Sequence, residues 1–129
     1  MQLSGKKLLF EQIAEWVENE ILAGRIVEGD KIYSQNEFAN YFNVNPMTAL
    51  RGIDLLRERG IVEKRRGIGM FVLPGAKQTI QEYRRNETLI EIIDDLLAEA
   101  NKLQIPQEKL IAMIQRRRGK DDDTDHESN

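Results

Sequence analysis

At 129 residues, with 40% hydrophobic and 32% charged residues, the chain has the makeup of one compact soluble domain plus an appendage. It contains no cysteine, which excludes disulfides, thiolate zinc sites and cysteine nucleophiles. A formal net charge of −3 names no partner by itself, so the placement of charge has to be read instead.

The first residues, Met1 to Lys7, lack the apolar run of a signal peptide, and no stretch approaches membrane-spanning length. The expected location is the cytoplasm. Leu9, Ile13, Trp16, Val17, Ile21 and Leu22 recur at helical spacing, with Glu11, Glu15, Glu18 and Glu20 mostly off the stripe. This predicts a first helix over residues 8–22, ended by a left-handed cap at Gly24. Residues 26–33 read as a turn leading into a short extended piece.

Ser34-Gln-Asn-Glu37 has the form of a capping box, and the helix it opens carries Phe38, Ala39 and Phe42 on one face. That helix ends at Asn43. Asn45 is a good N-cap and Pro46 suits a first helical position, so another helix follows at once, through Ala49, Leu50, Ile53, Leu56 and Arg57 to Gly60. Two short helices so closely joined make a helix-turn-helix. Residues 61–66 and 70–73 are then short β-rich runs around Gly67-Ile68-Gly69, a hairpin with glycines at its tip. Pro74-Gly75 closes a winged helix-turn-helix domain predicted over residues 1–75.

Residues 79–103 read as one long helix with Ile80, Tyr83, Leu89, Ile90, Ile92, Ile93, Leu96, Leu97, Ala100 and Leu103 as its apolar positions. Ile105-Pro106 breaks it, and Pro106 takes the first position of a last helix through Leu110, Ile111, Met113 and Ile114. Residues 76–118 thus form a helical segment. Residues 119–129, rich in Asp121, Asp122, Asp123, Asp125 and Glu127, are predicted to be a disordered acidic tail. The fold class is mostly α with one small β-hairpin.

Charge is unevenly placed. Between Thr48 and Lys77 stand Arg51, Arg57, Arg59, Lys64, Arg65, Arg66 and Lys77 against Asp54, Glu58 and Glu63, an excess of four (seven less three). A local basic face attracts phosphates whatever the total charge. The helix opening at Asn45 would present Asn45, Pro46, Met47, Thr48 and Arg51 to a major groove. There Arg pairs with guanine, Asn with adenine, and Thr or Met methyl groups meet thymine. Ser34, Gln35 and Asn36 would hold a phosphate on free helix amides. Arg65, Arg66 and Gly67 at the hairpin tip would enter a minor groove or clamp the backbone. The plainer reading stays open: Ser34 and Asn45 are caps, and surface arginines are solvated.

The residues that line up most specifically are Phe10-Glu-Gln-Ile-Ala14, Ile21-Leu-Ala-Gly24, Gly29-Asp-Lys-Ile32, Ser34 and Glu37-Phe-Ala39. Val44-Asn-Pro-Met-Thr48, Leu55-Leu-Arg-Glu-Arg-Gly-Ile-Val62 and Arg66-Gly-Ile-Gly-Met-Phe-Val72 continue the pattern. With these, residues 8–73 resemble the GntR superfamily of bacterial regulators, and Asn45-Pro46 followed by a short helical C-terminal part resembles its YtrA-type subfamily. The resemblance implies a sequence-specific DNA-binding regulator that acts as a repressor on an inverted-repeat operator. It also implies control of its own operon, often one with an ABC transporter. Thr48, Arg51, Arg66 and Gly67 carry over from the family pattern, whereas Tyr33 and Asn36 replace its usual Pro and Arg. Leu50 is expected to pack inward.

Two helices after the wing are too little to enclose a metabolite pocket within one chain. Their apolar positions Leu89, Ile90, Ile93, Leu96, Leu97, Leu110, Ile111 and Ile114 would stay wet unless covered, and a second copy is the simplest cover. The alternative is packing on their own winged domain. No cofactor, metal site or catalytic residue is expected. His126 is a lone histidine in the acidic tail, and Gly67-Ile68-Gly69 lies in a hairpin, not at a phosphate-binding strand-to-helix turn. Competing readings are a winged helix that binds an acidic protein, or an architectural DNA binder without sequence preference. An effector, if one exists, is unspecified by the sequence.

Overall fold

The computed structural model describes Leu3 and residues 7–127, with side chains described as far as residue 120. In chain order the elements are α1 (Leu9–Leu22), α2 (Gln35–Phe42), α3 (Pro46–Glu58), β1 (Val62–Arg65), β2 (Gly69–Val72) and α4 (Ala76–Tyr83). A π-helical turn (Arg84–Thr88) follows, then α5 (Leu89–Lys102) and α6 (Gln107–Glu127). The mostly helical class with one antiparallel hairpin is as the periodicity predicts. The long helix expected over residues 79–103 is instead two helices separated by the π turn.

The chain divides into two compact units, Met1–Arg85 and Asn86–Asn129. The first therefore runs past the boundary expected at residue 75. Ala76 and Ile80 explain the difference, because both are fully buried in the core of the winged domain, and α4 packs along α1. That core gathers Ile13, Ala14, Val17 and Ile21 of α1, Phe38 and Phe42 of α2, and Ala49, Ile53 and Leu56 of α3. Each large aliphatic or aromatic side chain so buried contributes roughly 1.5–3 kcal/mol. Gly52 lets α3 approach α1, since a Cβ there would lie 3.0 Å from Ile13 Cγ2 and 3.1 Å from the Phe10 carbonyl oxygen.

In the hairpin Val62 faces Val72, Glu63 faces Phe71, Lys64 faces Met70 and Arg65 faces Gly69. The paired valines point into the core. The extended segment before α2 joins the open side of β2: Lys31 bridges Phe71, the Ile32 amide donates to the Met70 carbonyl at 2.9 Å, and Val72 donates to Asp30 at 2.9 Å.

Beneath this lies a charge cluster with no signature in the sequence. Glu18, on α1, is buried to 1% exposure. Its carboxylate accepts from Arg59 Nη1 at 3.1 Å, from Arg84 Nη2 at 3.3 Å, and from the Tyr83 hydroxyl. Arg59 also donates to the Tyr83 oxygen at 3.2 Å, and Arg84 donates to Asn19 Oδ1 at 2.7 Å. A buried carboxylate is tolerable only with such a full set of donors.

Among the described residues of the second unit, Ala100 and Leu110 are the buried hydrophobic ones. Gln104 takes a left-handed φ of 56°, the Ile105 amide donates back to the Ala100 carbonyl at 2.9 Å, and the Pro106 carbonyl accepts the first bond of α6. Pro106 thus stands one position before the first helical residue, not on it. The α6 backbone also continues to Glu127, through most of the segment expected to be disordered. Once a helix is nucleated each further residue adds a bond without a new nucleation cost, which works against the poor helix propensity of Gly119 and the aspartates. The acidic side chains from Asp121 on, and His126, lie outside the described side chains. No described helix is long and apolar enough to cross a membrane.

Burial, together with the hydrogen bond to Glu18 and its charge, pushes the Tyr83 phenol up to about 12 from its ordinary 10, against the opposing pull of Arg59 and Arg84. The folded state thus favours the neutral phenol. Its contribution is fully present below the ordinary phenol value and is lost as pH rises towards 12. Absorbance titration of the wild type minus Tyr83→Phe should isolate a phenol ionising near 12, and wild-type stability should fall across that window. Glu18→Ala should cost roughly 2–3 kcal/mol in urea melts, the low end for a broken buried pair because both arginines still reach water. A loss under half a kilocalorie would show the cluster to be stabilising nothing.

Candidate nucleic-acid interface

The N-termini of α2 and α3 are brought together by their own first residues. Ser34 Oγ accepts from the Glu37 amide at 3.2 Å, and Glu37 Oε1 accepts from the Ser34 amide at 2.9 Å, which completes the capping box. Asn45 Oδ1 accepts from the Met47 amide at 2.8 Å, and Pro46 follows at the first helical position. Gln35 Nε2 donates to the Pro46 carbonyl at 3.0 Å and so braces one helix start against the other. Ser34, Gln35 and Asn45 therefore each have a structural task. Asn36, Pro46 and Met47 are exposed beside them, and Thr48 is half-buried.

The capping box also changes the anion site expected at Ser34. The hydrogen bond from the Ser34 backbone, its side-chain bond and the charge of Lys31 all hold the Glu37 carboxyl below the usual carboxylate range. Ionised Glu37 thus occupies the mouth of α2. An incoming phosphate would meet that charge, with only the first amides of the helix left to receive it.

Arg51 is exposed, with its guanidinium 4.4 Å from the centroid of the Phe10 ring. Such a contact is worth about 0.5–1 kcal/mol at an exposed site, less than the ~1–3 kcal/mol of a bidentate guanine contact, so it poises Arg51 without trapping it. On the wing, Arg65 lies 4.2 Å over the Phe71 ring, and its Nε stands 3.3 Å from Glu63 Oε1. It is partly neutralised where it stands. Arg66 is different. The Ile68 amide donates to the Arg65 carbonyl at 2.9 Å, and Gly67, third in that turn, has a φ of +77°, the sign a type II turn requires there. This puts Arg66 at the exposed corner of the turn.

Leu50, expected to pack inward, is half-buried between α3 and the wing. Lys31, Arg57 and Lys64 line the same space, and the sequence reading did not select them for the site. The available signal was the helical repeat Leu50, Asp54, Arg57, which faces the wing. Of the positions expected to dimerise, Leu89, Ile90, Ile93, Leu96, Leu97, Ile111 and Ile114 are exposed, whereas Leu110 is already buried at 8%. Among the described residues no group of His, Asp and Glu is placed to hold a metal ion.

The profile described as "Bacterial regulatory proteins, gntR family" matches residues 9–72. The HTH-type transcriptional repressor YtrA of Bacillus subtilis is 32% identical over 103 residues, covering 79% of this chain and 78% of that protein. A GntR family transcriptional regulator from Listeria monocytogenes superposes with a TM-score of 0.73 at 29% identity, covering 88% of this chain and 98% of that one. BusR of S. agalactiae, solved in complex with its busAB-promotor DNA, superposes with a TM-score of 0.58 at 26% identity, over 84% of this chain and 54% of BusR.

Ser34→Ala removes one half of the capping box and should lower stability by about 1 kcal/mol in thermal or urea unfolding. Glu37→Gln keeps the box but removes its charge, and should cost less than Ser34→Ala though not nothing, because the lowered Glu37 carboxyl means that folding favours the charge. Equal losses in the two variants would mean that the charge contributes as much to the helix start as the hydroxyl bond.

Proposed function

The chain belongs to the GntR family of bacterial regulatory proteins, and from this premise we propose that it represses transcription as a homodimer on an inverted-repeat operator. That it is a DNA-binding transcriptional regulator follows from the family. The observation that carries the finer reading is the exposed start of α3, with Met47 and Arg51 outward, on the same unit as a turn that holds Arg66 at its corner. Each recognition helix reads one half-site, with Asn45, Pro46, Met47, Thr48 and Arg51 at the groove. Ser34, Gln35 and Asn36 stand near the backbone, and Arg65, Arg66 and Gly67 grip the neighbouring groove.

The exposed row Leu89, Ile90, Ile93, Leu96 and Leu97 on α5, with Ile111 and Ile114 on α6, pairs two copies. A second copy both covers that surface and supplies the second half-site. Repression by occlusion of RNA polymerase in the cytoplasm agrees with the name of the B. subtilis repressor. The regulated genes are the chain's own operon and, by the subfamily resemblance, a transporter of the ABC class.

Fluorescence anisotropy with the DNA upstream of its own gene, against random duplex over a salt series, tests the reading. Selective binding that survives moderate salt is expected. Equal affinity for both duplexes would make it an architectural binder, and no binding at low salt would send the wing to a protein partner. Arg51→Ala should weaken specific binding by ~1–3 kcal/mol more than random binding. Arg66→Ala should flatten the salt slope by about one. Ile93→Asp combined with Leu97→Asp should sediment as a monomer and lose operator affinity. A dimer that persists would move the interface elsewhere.

A further inference from the structure

Between α3 and the wing lies a cavity of about 230 Å³. We propose that it binds a small organic anion with an apolar body, and that its occupation weakens the grip on DNA. The second half rests on the DNA-binding reading; the first does not.

Three elements build the cavity. Successive turns of α3 supply Leu50, Asp54 and Arg57, the wing supplies Lys64 and Met70, and the extended segment before α2 supplies Lys31. Lys31 is placed by the backbone: its neighbour Ile32 is buried and donates to the Met70 carbonyl at 2.9 Å. Its stem crosses Gly69, where a Cβ would come within 2.6 Å of Lys31 Cε, at a φ of +142° that favours glycine in any case. The positive φ is what calls for glycine at residue 69, since the end of the lysine chain could move aside.

The lining sets the chemistry of the occupant. Among the lining residues three cations, Lys31, Arg57 and Lys64, stand against one carboxylate, Asp54, a loose 3.8 Å from Arg57, while Lys31 also feels Glu37 outside the lining. Ile32, Leu50, Ile53, Ile68 and Met70 give the wall an apolar stretch, and Ser34 and Gln35 add two uncharged polar groups. Water against the apolar stretch has few partners and is displaced readily by an apolar body, while an anionic head takes the place of water at the lysines. The volume falls below the usual range for ligand sites and admits a body of roughly ten non-hydrogen atoms, too small for a nucleotide.

The consequence for DNA follows from position. An anion there neutralises cations on the flank of α3 and the wing, and it touches both elements that grip the duplex. By linkage, bound DNA must weaken the anion by the same factor.

The test uses the full chain without DNA. ¹H–¹⁵N spectra at low ionic strength are titrated in parallel with hexanoate, hexanol and dimethyl phosphate. Hexanoate is expected to give saturable shifts at the Leu50, Gly69 and Met70 amides, and Lys64→Gln, a change at an exposed side chain, should weaken it by roughly tenfold. No saturable shift would overturn the proposal. Equal binding of hexanol would reduce the cavity to an apolar crevice, and equal binding of dimethyl phosphate would make it a seat for a DNA backbone phosphate. If hexanoate binds as expected, it should also lower affinity for upstream DNA in the wild type and much less in Lys64→Gln. Unchanged DNA affinity would overturn the regulatory half alone.

Discussion

The geometry of the winged domain depends on one buried carboxylate. Glu18 stands on α1, and its donors come from the C-cap of α3 and from the end of α4 and the turn beyond it. An anion sealed from water fixes its donors more strictly than an apolar contact does. A shifted leucine loses a few weak contacts, whereas a shifted arginine leaves a buried charge unpaired. The far end of α3 is thereby tied to α1 and α4. Its near end is tied differently, by the Gln35 bond to Pro46 and the Asn45 cap. With both ends fixed, the exposed residues between them keep a defined direction.

Those two fixings differ in how far they can be read from sequence. The caps are local: Ser34 with Glu37, and Asn45 with Pro46, act within three residues of themselves, so residue type and spacing suffice to place them. The Glu18 cluster joins residues 41, 65 and 66 positions apart, and Glu18 resembles any other glutamate on the flank of an amphipathic helix. The domain boundary failed for a related reason. Pro74-Gly75 does end the wing, but Gly75 is also the N-cap of α4, and punctuation of an element is not the edge of a core. What decides the edge is Ala76 and Ile80, whose burial depends on α1 far upstream.

The π turn at Arg84–Thr88 escaped the reading because its residues, Arg-Arg-Asn-Glu-Thr, are polar and carry no apolar phase. The sequence shows apolar stripes on either side of it, Ile80 and Tyr83 before, Leu89 and Ile90 after, and a single α period was drawn through both. A π turn takes up an extra residue without breaking the backbone ladder, so no turn or helix-breaking residue marks it in the sequence. The exposed residues of α5 were legible as a face, since Leu89, Ile93 and Leu96 keep helical spacing among themselves.

Charge needed the structure most. Seven cations between Thr48 and Lys77 look like one basic face, but three of them are otherwise occupied or elsewhere. Arg59 turns inward to Glu18, Arg65 is paired with Glu63, and Lys77 lines a separate hollow beside Gly24 and Val27. Lys31, from outside that stretch, joins Arg57 and Lys64 between α3 and the wing. A folded face is assembled from side chains within a Debye length of one another, about 8–10 Å at physiological salt, and not from neighbours in sequence. A chain of net charge −3 thus meets an anionic partner through a handful of groups, and acidic residues beyond that distance add little to the local field. On the reading proposed above, an anion held by Lys31, Arg57 and Lys64 lowers the positive field on the side of the unit that carries α3 and the wing, without touching Arg51 or Arg66.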